Sequence, residues 1–230
     1  DKTYEGVVIK LGKDFANISM LPNSTIIAGS ACSDKKLSDF TMENEVGGFE
    51  FLACIPGTVG GGLRMNAGCF NREFKDILLS VQAIDRNGRV LTIPAKKIMF
   101  EYRNNNLPKD LIFLSASFKG FNKDKEKIKT EIIDLKNKKD NSQPTKIKTS
   151  GSTFKNPINQ SDKKVWQLIK ESVPQDLNFG DASISEKHFN FFVNKGNASF
   201  NDMIKLINFV QEQVKKKTGI ILEKEIKILE

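Results

Sequence analysis

The sequence has little of what metal centres and disulfide-stabilised folds require. It contains three cysteines, Cys32, Cys54 and Cys69, and a single histidine, His188. Their spacing matches no metal-ligand motif, and an odd number of cysteines cannot all pair within one chain. We therefore predict no metal site and three reduced thiols, which are typical of a cytoplasmic protein.

Long apolar runs are also lacking. No stretch approaches the roughly 18–20 apolar residues of a transmembrane helix, and no signal peptide is recognisable. These absences predict a cytoplasmic protein without a membrane partner. The chain begins at Asp1 rather than methionine and opens directly into the apolar residues 7–11. We expect that this is not the start of the gene product.

Arginine is scarce among the basic residues. The formal net charge is +8 and the pI about 9.3, but only five of the 36 basic residues are arginine. Lysines spread along the chain indicate a solvated surface, although a basic surface also attracts nucleic acid or diphosphate-bearing small molecules. No RNA-binding signature with spaced aromatic residues is present. We therefore predict no nucleic-acid partner.

The composition is that of a globular protein with a sizeable core. Its 230 residues suit one large or two medium domains, and 39% hydrophobic and 28% charged residues are ordinary values. Asn87-Gly88 between two β-rich runs is a strong hairpin signal. The first half is predicted to contain strands at residues 7–11, 24–28 and 111–118, a helix at 38–44 and a hairpin at 79–93.

A highly charged stretch separates the two halves. Residues 120–141 are dense in Lys, Asp and Glu but carry isoleucines at helical spacing, which predicts an exposed amphipathic helix. A polar linker is predicted to follow at residues 136–145. We therefore place a first domain at residues 1–119, a helical linker at 120–145 and a second domain at 146–230.

The second domain alternates helix and strand patterns. Ser161 is predicted to cap one helix, and a capping box at Ser199–Asp202 begins another that Gly219 ends. Residues 189–193 predict an aromatic strand. Alternating apolar residues predict a last strand at residues 220–229. Together these patterns indicate an α+β layer with helices on one side of the strands.

The most unusual stretch runs from Ile55 to Gly68 and reads IPGTVGGGLRMNAG. Glycine lets backbone N–H groups approach a ligand closely, and consecutive free N–H groups suit an anion such as a pyrophosphate. The alternative is a tight glycine turn between two strands. This glycine block is neither a Walker loop nor a Rossmann GxGxxG turn, because no Gly-Lys-Ser/Thr follows and no apolar helix begins at its end.

Four further blocks accompany the glycine block, in this order: Tyr102-Arg103, GSTFKNP at residues 151–157, SEKHFN at 185–190 and LEKEI at 222–226. In this order and at these distances, the set closely resembles the UDP-N-acetylenolpyruvoylglucosamine reductase family over nearly the whole chain. The resemblance implies an α+β fold, with a partial FAD-binding domain of the vanillyl-alcohol-oxidase type and a smaller α+β substrate-binding domain. It also implies FAD as cofactor, NADPH as hydride donor, UDP-N-acetylglucosamine enolpyruvate as substrate and a monomeric state.

The resemblance also implies roles for individual residues. Ser152 would protonate the enol, and Arg103 and Glu225 would stabilise it. The substrate pocket would be lined by Asn156, Lys187 and His188. The residues implied to bind the cofactor are Ile55, Pro56, Gly57, Thr58, Gly60, Gly61, Asn66, Ala67 and Gly68.

Each of these residues also has an ordinary alternative. On local evidence, Ser152 is a turn residue, Arg103 forms a surface salt bridge, Glu225 faces solvent and His188 is a structural hydrogen-bonding residue. A Ser-His-Asp triad would need His188, the only histidine. The glycine block alone would also suit another FAD-dependent oxidase acting on a sugar or hydroxy acid. The basic charge alone would suit a non-enzymatic binding module.

The chain departs from the family pattern in several places. Cys54 stands where glycine usually precedes Ile-Pro-Gly, Asn105 where serine is found, and Lys224 where proline or tryptophan is common. Members of the family also carry a further N-terminal segment with a glycine-rich turn at the FAD pyrophosphate. Because residues 1–230 do not include that turn, we expect them to bind FAD weakly or not at all.

Overall fold

The structure, a computed structural model, describes residues 5–144 and 147–229. The chain divides into two compact units: Val8–Lys139 forms the first, and the second contains the chain from Asp140 onward. The division falls inside a helix, within the stretch that the sequence assigns to a helical linker. The predicted domain bounds themselves stay a prediction.

The first unit is built around a five-stranded antiparallel sheet with strand order β1-β2-β8-β6-β7. The sheet strands are β1 Ile18–Leu21, β2 Thr25–Gly29, β6 Leu78–Ile84, β7 Val90–Pro94 and β8 Ile112–Lys119. Short pairs flank it: β3 Val46–Gly47 with β9 Phe121–Asn122, and β4 Gly68–Cys69 with β5 Arg72–Glu73. The predicted hairpin is confirmed, with Asp85 accepting from the backbone amides of Asn87 and Arg89 at the turn.

Helices of the first unit are α1 Asp34–Glu43, α2 Val59–Met65 and α3 Lys125–Ser142, with 3-10 turns at Lys13–Ala16, Glu50–Cys54, Phe74–Asp76 and Ala95–Lys97. Its core holds a cluster of aromatic rings. Phe118 of β8 meets the rings of Phe49 and Phe74 edge-on, with centroids 6.2 and 6.0 Å away. All three are at most 1% exposed. Edge-to-face packing of this kind adds about 0.5–1.5 kcal/mol per pair beyond the buried area.

Two predictions in the first unit are wrong in part. The helix predicted at residues 38–44 begins earlier, at Asp34, because the Ser33 side chain caps it by accepting from the Lys36 amide at 3.2 Å. Helix α3 runs on to Ser142, so the linker predicted from Lys136 begins later. The end of that linker, Thr145, lies outside the described residues.

The strand predicted at residues 7–11 is wrong. Val7, Val8 and Ile9 are 88%, 77% and 69% exposed and form no strand. An apolar run becomes a strand only when a neighbour supplies hydrogen bonds and a surface to bury against. Neither is available to these residues within the part of the chain that the structure describes.

The second unit contains a four-stranded antiparallel sheet with order β10-β13-β12-β11 and two helices. The elements are β10 Lys148–Ser152, α4 Val165–Ser172, β11 Asn178–Phe179, β12 Ala182–Ile184, β13 Phe191–Asn194 and α5 Phe200–Thr218. The capping box is confirmed, since Ser199 accepts from the Asp202 amide and Asp202 accepts from the Ser199 amide. Gly219 ends α5 in the left-handed region, at φ 76°.

Two predictions in the second unit are wrong. Helix α4 begins at Val165 with Lys164 at its N-cap, whereas Ser161 accepts from the Lys163 amide one turn earlier. No strand forms in residues 220–229; a single bridge, Phe154 to Lys224, replaces it. The alternation of apolar residues is present, but only Leu222 becomes fully buried. The segment pairs with irregular chain beyond β10 instead of with a sheet edge.

Among the described residues, no helix combines the length and apolar character that crossing a membrane demands.

Candidate functional site

The glycine block forms the start of a helix, not a turn between two strands. Thr58 is the N-cap of α2, and its side chain accepts from the Gly61 amide at 3.4 Å. A bridge between Ser33 and Thr58 sets this cap beside the cap of α1. The turn interpretation is therefore wrong.

Most amides of the glycine block already have acceptors. Val59 donates to the Cys32 carbonyl and Gly60 to the Ser30 carbonyl, both at 2.9 Å. By contrast, Gly57 and Thr58 are exposed, and their amides donate to no group in the described chain. The helix N-terminus adds a positive partial charge at this point. The amides that can receive an anion are thus those just before α2.

The end of the block has a structural role. Asn66 is fully buried and left-handed, with φ 41°. Its side-chain amide donates to Glu73 Oε2 and to the Glu101 carbonyl, and its oxygen accepts from the Lys75 amide. These bonds occupy Asn66 within the protein. They also fix where the following Ala67 and Gly68 lie.

The three consecutive glycines of α2 face different surroundings. A Cβ on Gly62 would lie 2.3 Å from the ring of the buried Phe74, and one on Gly60 would lie 3.0 Å from the Ser30 Cβ. A Cβ on Gly61 would meet only Thr58 Oγ1, at an ordinary 3.8 Å. Packing therefore explains Gly60 and Gly62. It does not explain Gly61, whose bare and exposed surface is open to a ligand.

Gly62→Ala is expected to destabilise the protein and Gly61→Ala to stabilise it. Alanine gains about 0.5–1 kcal/mol over glycine inside a helix. At residue 62 the clash with Phe74 exceeds this gain, since overpacking a core costs about 1–3 kcal/mol. Urea unfolding of the two variants beside the parent would test this. Equal shifts for both would show that Phe74 moves aside freely.

Arg103 lies beside the end of the glycine block. Its Nη2 donates to the Gly68 carbonyl at 3.3 Å, and its guanidinium lies 4.8 Å from the centre of the Tyr102 ring. The residue is half-buried and left-handed, with φ 57°. The structure thus brings Arg103 to the predicted cofactor-binding residues, although 35 residues separate it from Gly68. Sequence spacing alone gives no sign of this.

Ser152 follows a bulge in β10. Thr149 pairs with Val193 and Ser152 with Phe191, so the strand slips its register between them. Gly151 sits in the bulge at φ 86°, a conformation that favours glycine. Bulges re-aim the side chain that follows them. This explains why glycine precedes Ser152, which is half-buried.

Glu225 belongs to the segment next to Ser152. Its amide donates to the Thr153 carbonyl at 2.9 Å, and its side chain is half-buried. Glu223 is instead exposed and forms an ion pair with Lys155 at 2.5 Å. The second unit therefore brings Ser152 and Glu225 onto neighbouring segments.

Sequence reasoning assigned no role to Asn190, which holds this region together. The residue is 3% exposed. Its oxygen accepts from the Phe154 amide at 3.0 Å, and its side-chain amide donates to the Phe154 carbonyl at 2.8 Å. Its own carbonyl accepts from Thr153. Asn190 thus fixes the chain immediately after Ser152. The sequence signal that could have identified this role is the position of Asn190 at the end of the SEKHFN block.

The three residues predicted to bind substrate have different surroundings. Asn156 Oδ1 accepts from the Val165 amide at 3.0 Å and so caps α4. The Lys187 ammonium donates to the Asp140 carbonyl. Burial lowers the pKa of His188, so its imidazole is neutral at pH 7.

The triad alternative for His188 finds no support in its hydrogen bonding. Its Nδ1 accepts from the Asn190 amide at 3.2 Å, which leaves the proton on Nε2. A catalytic triad instead needs Nδ1–H donating to a carboxylate. Among the described residues, no three His, Cys, Asp or Glu side chains converge as a metal ion would require.

Two family models match the chain. An FAD-binding domain model matches residues 1–94, and the model described as UDP-N-acetylenolpyruvoylglucosamine reductase, C-terminal domain, matches residues 143–229. They confirm the predicted fold class, an FAD-binding domain followed by a smaller α+β domain.

Named relatives agree with these models. The reductase of that name from Pelagibacter ubique is 72% identical over 229 residues, covering 100% of this chain and 76% of the relative. The one from Rickettsia conorii is 45% identical over 227 residues, covering 99% of this chain and 76% of the relative. A crystal structure of the Thermus caldophilus reductase matches with TM-score 0.78 and 31% identity, covering 89% of this chain and 72% of that chain.

Proposed function

The chain belongs to the UDP-N-acetylenolpyruvoylglucosamine reductase family, and we propose that it reduces UDP-N-acetylglucosamine enolpyruvate to UDP-N-acetylmuramate with FAD and NADPH. The product is a peptidoglycan precursor. The observation that carries the proposal is the likeness to reductases of this name along nearly the whole chain, which includes both domain models.

The glycine block fits the pyrophosphate of FAD. The exposed amides of Gly57 and Thr58 precede a helix N-terminus, where an anion is stabilised. Gly61 presents no Cβ on the same exposed turn. Residues 55–58, Gly60 and Gly61 would contact the cofactor, whereas Asn66 would position Ala67 and Gly68. These residues would thus hold the group that supplies the hydride chemistry between NADPH and the enolpyruvyl substrate.

The protein's own groups would handle the charge and the proton. Arg103 would bind the substrate carboxylate, because its planar guanidinium donates two parallel hydrogen bonds. Glu225 would help to stabilise the enol that develops on reduction, and Ser152 would donate its hydroxyl proton to the adjacent carbon. A positioned proton donor contributes about 10²–10⁴-fold in rate.

Lys187, His188 and Asn156 would contact the nucleotide-sugar part of the substrate. Neutral His188 would do so as an Nε2–H donor, since its Nδ1 is occupied by the Asn190 amide.

An anaerobic flavin titration tests the proposed function. The chain is supplied with excess FAD, NADPH is added to bleach the flavin absorbance, and the enolpyruvyl substrate is then added. Recovery of the absorbance with formation of UDP-N-acetylmuramate is expected. UDP-N-acetylglucosamine, which lacks the enolpyruvyl group, is the control and should restore nothing.

Other outcomes would favour the alternatives. Flavin reduction by a sugar or hydroxy acid, with no response to the enolpyruvyl substrate, would indicate an oxidase of the same fold. Salt-dependent retention on DNA, without any flavin binding, would indicate a basic binding module.

A further inference from the structure

Two of the three cysteines enclose the glycine block. Cys54 ends the 3-10 turn directly before Ile55, and Cys69 directly follows Gly68. Strand β4 packs against that turn. The Cys69 thiol donates at 3.3 Å to the carbonyl of Phe51, which lies in the same turn as Cys54. The two cysteines therefore lie on packed neighbouring segments where the block begins and ends.

The two thiols differ in their access to solvent. Cys54 is 5% exposed, whereas Cys69 is half-buried and is therefore the more accessible of the two. The hydrogen bond to Cys54 and burial raise the pKa of the Cys69 thiol, although Lys139 and Arg103 nearby act in the opposite direction. Because the thiolate is the nucleophile, Cys69 should react slowly at neutral pH and faster in alkaline solution.

We propose that Cys54 and Cys69 are a modification site, at which a hydroperoxide joins the two sulfurs in a disulfide that closes the chain around the glycine block. Nothing in the reduction of the enolpyruvyl substrate requires these thiols. The disulfide would form without any cofactor, so the site does not depend on the proposed function.

The oxidation of the two thiols by one hydrogen peroxide releases two molecules of water. The Cys69 thiolate attacks one oxygen of the hydroperoxide, the O–O bond breaks, and with hydrogen peroxide one water leaves as Cys69 becomes a sulfenic acid. The Cys54 sulfur then attacks the sulfenic sulfur, the S–O bond breaks and a second water leaves. Two thiols lose two electrons in total, and one peroxide gains them.

Peptide mapping of the whole protein tests the proposal. The chain is exposed to hydrogen peroxide, unfolded in iodoacetamide and digested, with an untreated sample beside it. We expect a linked peptide pair containing Cys54 and Cys69, lighter by two hydrogens than the separate peptides and split by dithiothreitol. Cys32, which is fully buried, should remain available to iodoacetamide and serves as the internal control.

Cysteine variants test which thiols form the disulfide. Cys32→Ser should still give the linked pair, whereas Cys54→Ser and Cys69→Ser should each abolish it. Two outcomes would overturn the proposal in the unsubstituted protein: a disulfide that involves Cys32, or oxidation of Cys69 to sulfinic acid while Cys54 stays fully alkylated. Because the unsubstituted protein gives the decisive map, poor folding of a variant does not affect the test.

Discussion

Replacing Ser152 with alanine is expected to lower turnover of the enolpyruvyl substrate by about 10²–10⁴-fold, the usual contribution of a positioned proton donor. Flavin reduction by NADPH should proceed as in the parent protein, because that half-reaction needs no proton from Ser152. The expected signature is therefore a flavin that NADPH bleaches normally and that the enolpyruvyl substrate reoxidises slowly.

The structure indicates that Ser152→Ala removes the hydroxyl group without disturbing the fold. Within the described chain, the Ser152 side chain makes no hydrogen bond whose loss would unfold the sheet. The bulge at Gly151 and the two hydrogen bonds between Asn190 and Phe154 hold the backbone at this point, and alanine leaves all of them intact. An unchanged midpoint of thermal unfolding should accompany the loss of turnover.

Ser150→Ala is the matched control. Ser150 lies on the same strand, two residues earlier and exposed, so it should retain full activity. Turnover of Ser152→Ala within a few-fold of the parent would rule out Ser152 as the proton donor. A fall in NADPH-driven bleaching would instead assign Ser152 to cofactor binding.

Local sequence signals predicted those parts of the fold that local interactions determine. The Ser199 capping box and Gly219 define α5 from within its own sequence, and the Asn87-Gly88 turn defines its hairpin. Residues 7–11 and 220–229 carry equally good strand patterns but form no strands. Whether such a segment becomes a strand depends on a partner elsewhere in the fold, which a pattern of alternating residues does not contain.

The candidate site likewise has features that the sequence predicted and features that it did not. The motif blocks identified the family, yet they gave no sign that the glycine block begins a helix or that Asn66 is buried in it. Nor did they show that Asn190 fixes the backbone after Ser152. These roles arise from contacts between distant segments, such as the approach of Phe74 to Gly62. Residue identity limits such contacts but does not specify them.

Replacing Asp34 is expected to have the second large effect, a change in the free energy of unfolding. The residue begins α1, is fully buried, and neither of its carboxylate oxygens has a hydrogen-bond partner in the described chain. Its Oδ2 faces Gly57, where an added Cβ would lie 3.3 Å away. Burial raises the pKa of Asp34 from 3.8 to about 7. Loss of hydration on burial is the cause of this shift.

This pKa makes the cofactor-free protein less stable as the pH rises. Between the unfolded value of 3.8 and about 7, the folded chain keeps a proton on Asp34 that the unfolded chain has lost. The contribution of Asp34 to the free energy of unfolding therefore falls across that interval and stays low above it. One pKa unit corresponds to 1.36 kcal/mol, so the full cost approaches roughly 4 kcal/mol. Water molecules that hydrate the Asp34 carboxylate in the folded protein would reduce this free-energy cost.

Asp34→Asn removes the titration and keeps the shape of the side chain. Near pH 4 the variant should match the parent, whose carboxyl is then neutral in the fold. Near pH 8 the variant should be more stable by about 1–4 kcal/mol. Urea unfolding at both pH values measures this difference. Asp39→Asn, which replaces a half-buried acid on the same helix, is the matched control. A loss of stability for Asp34→Asn near pH 8 would mean that the carboxylate is ionised and paired in solution.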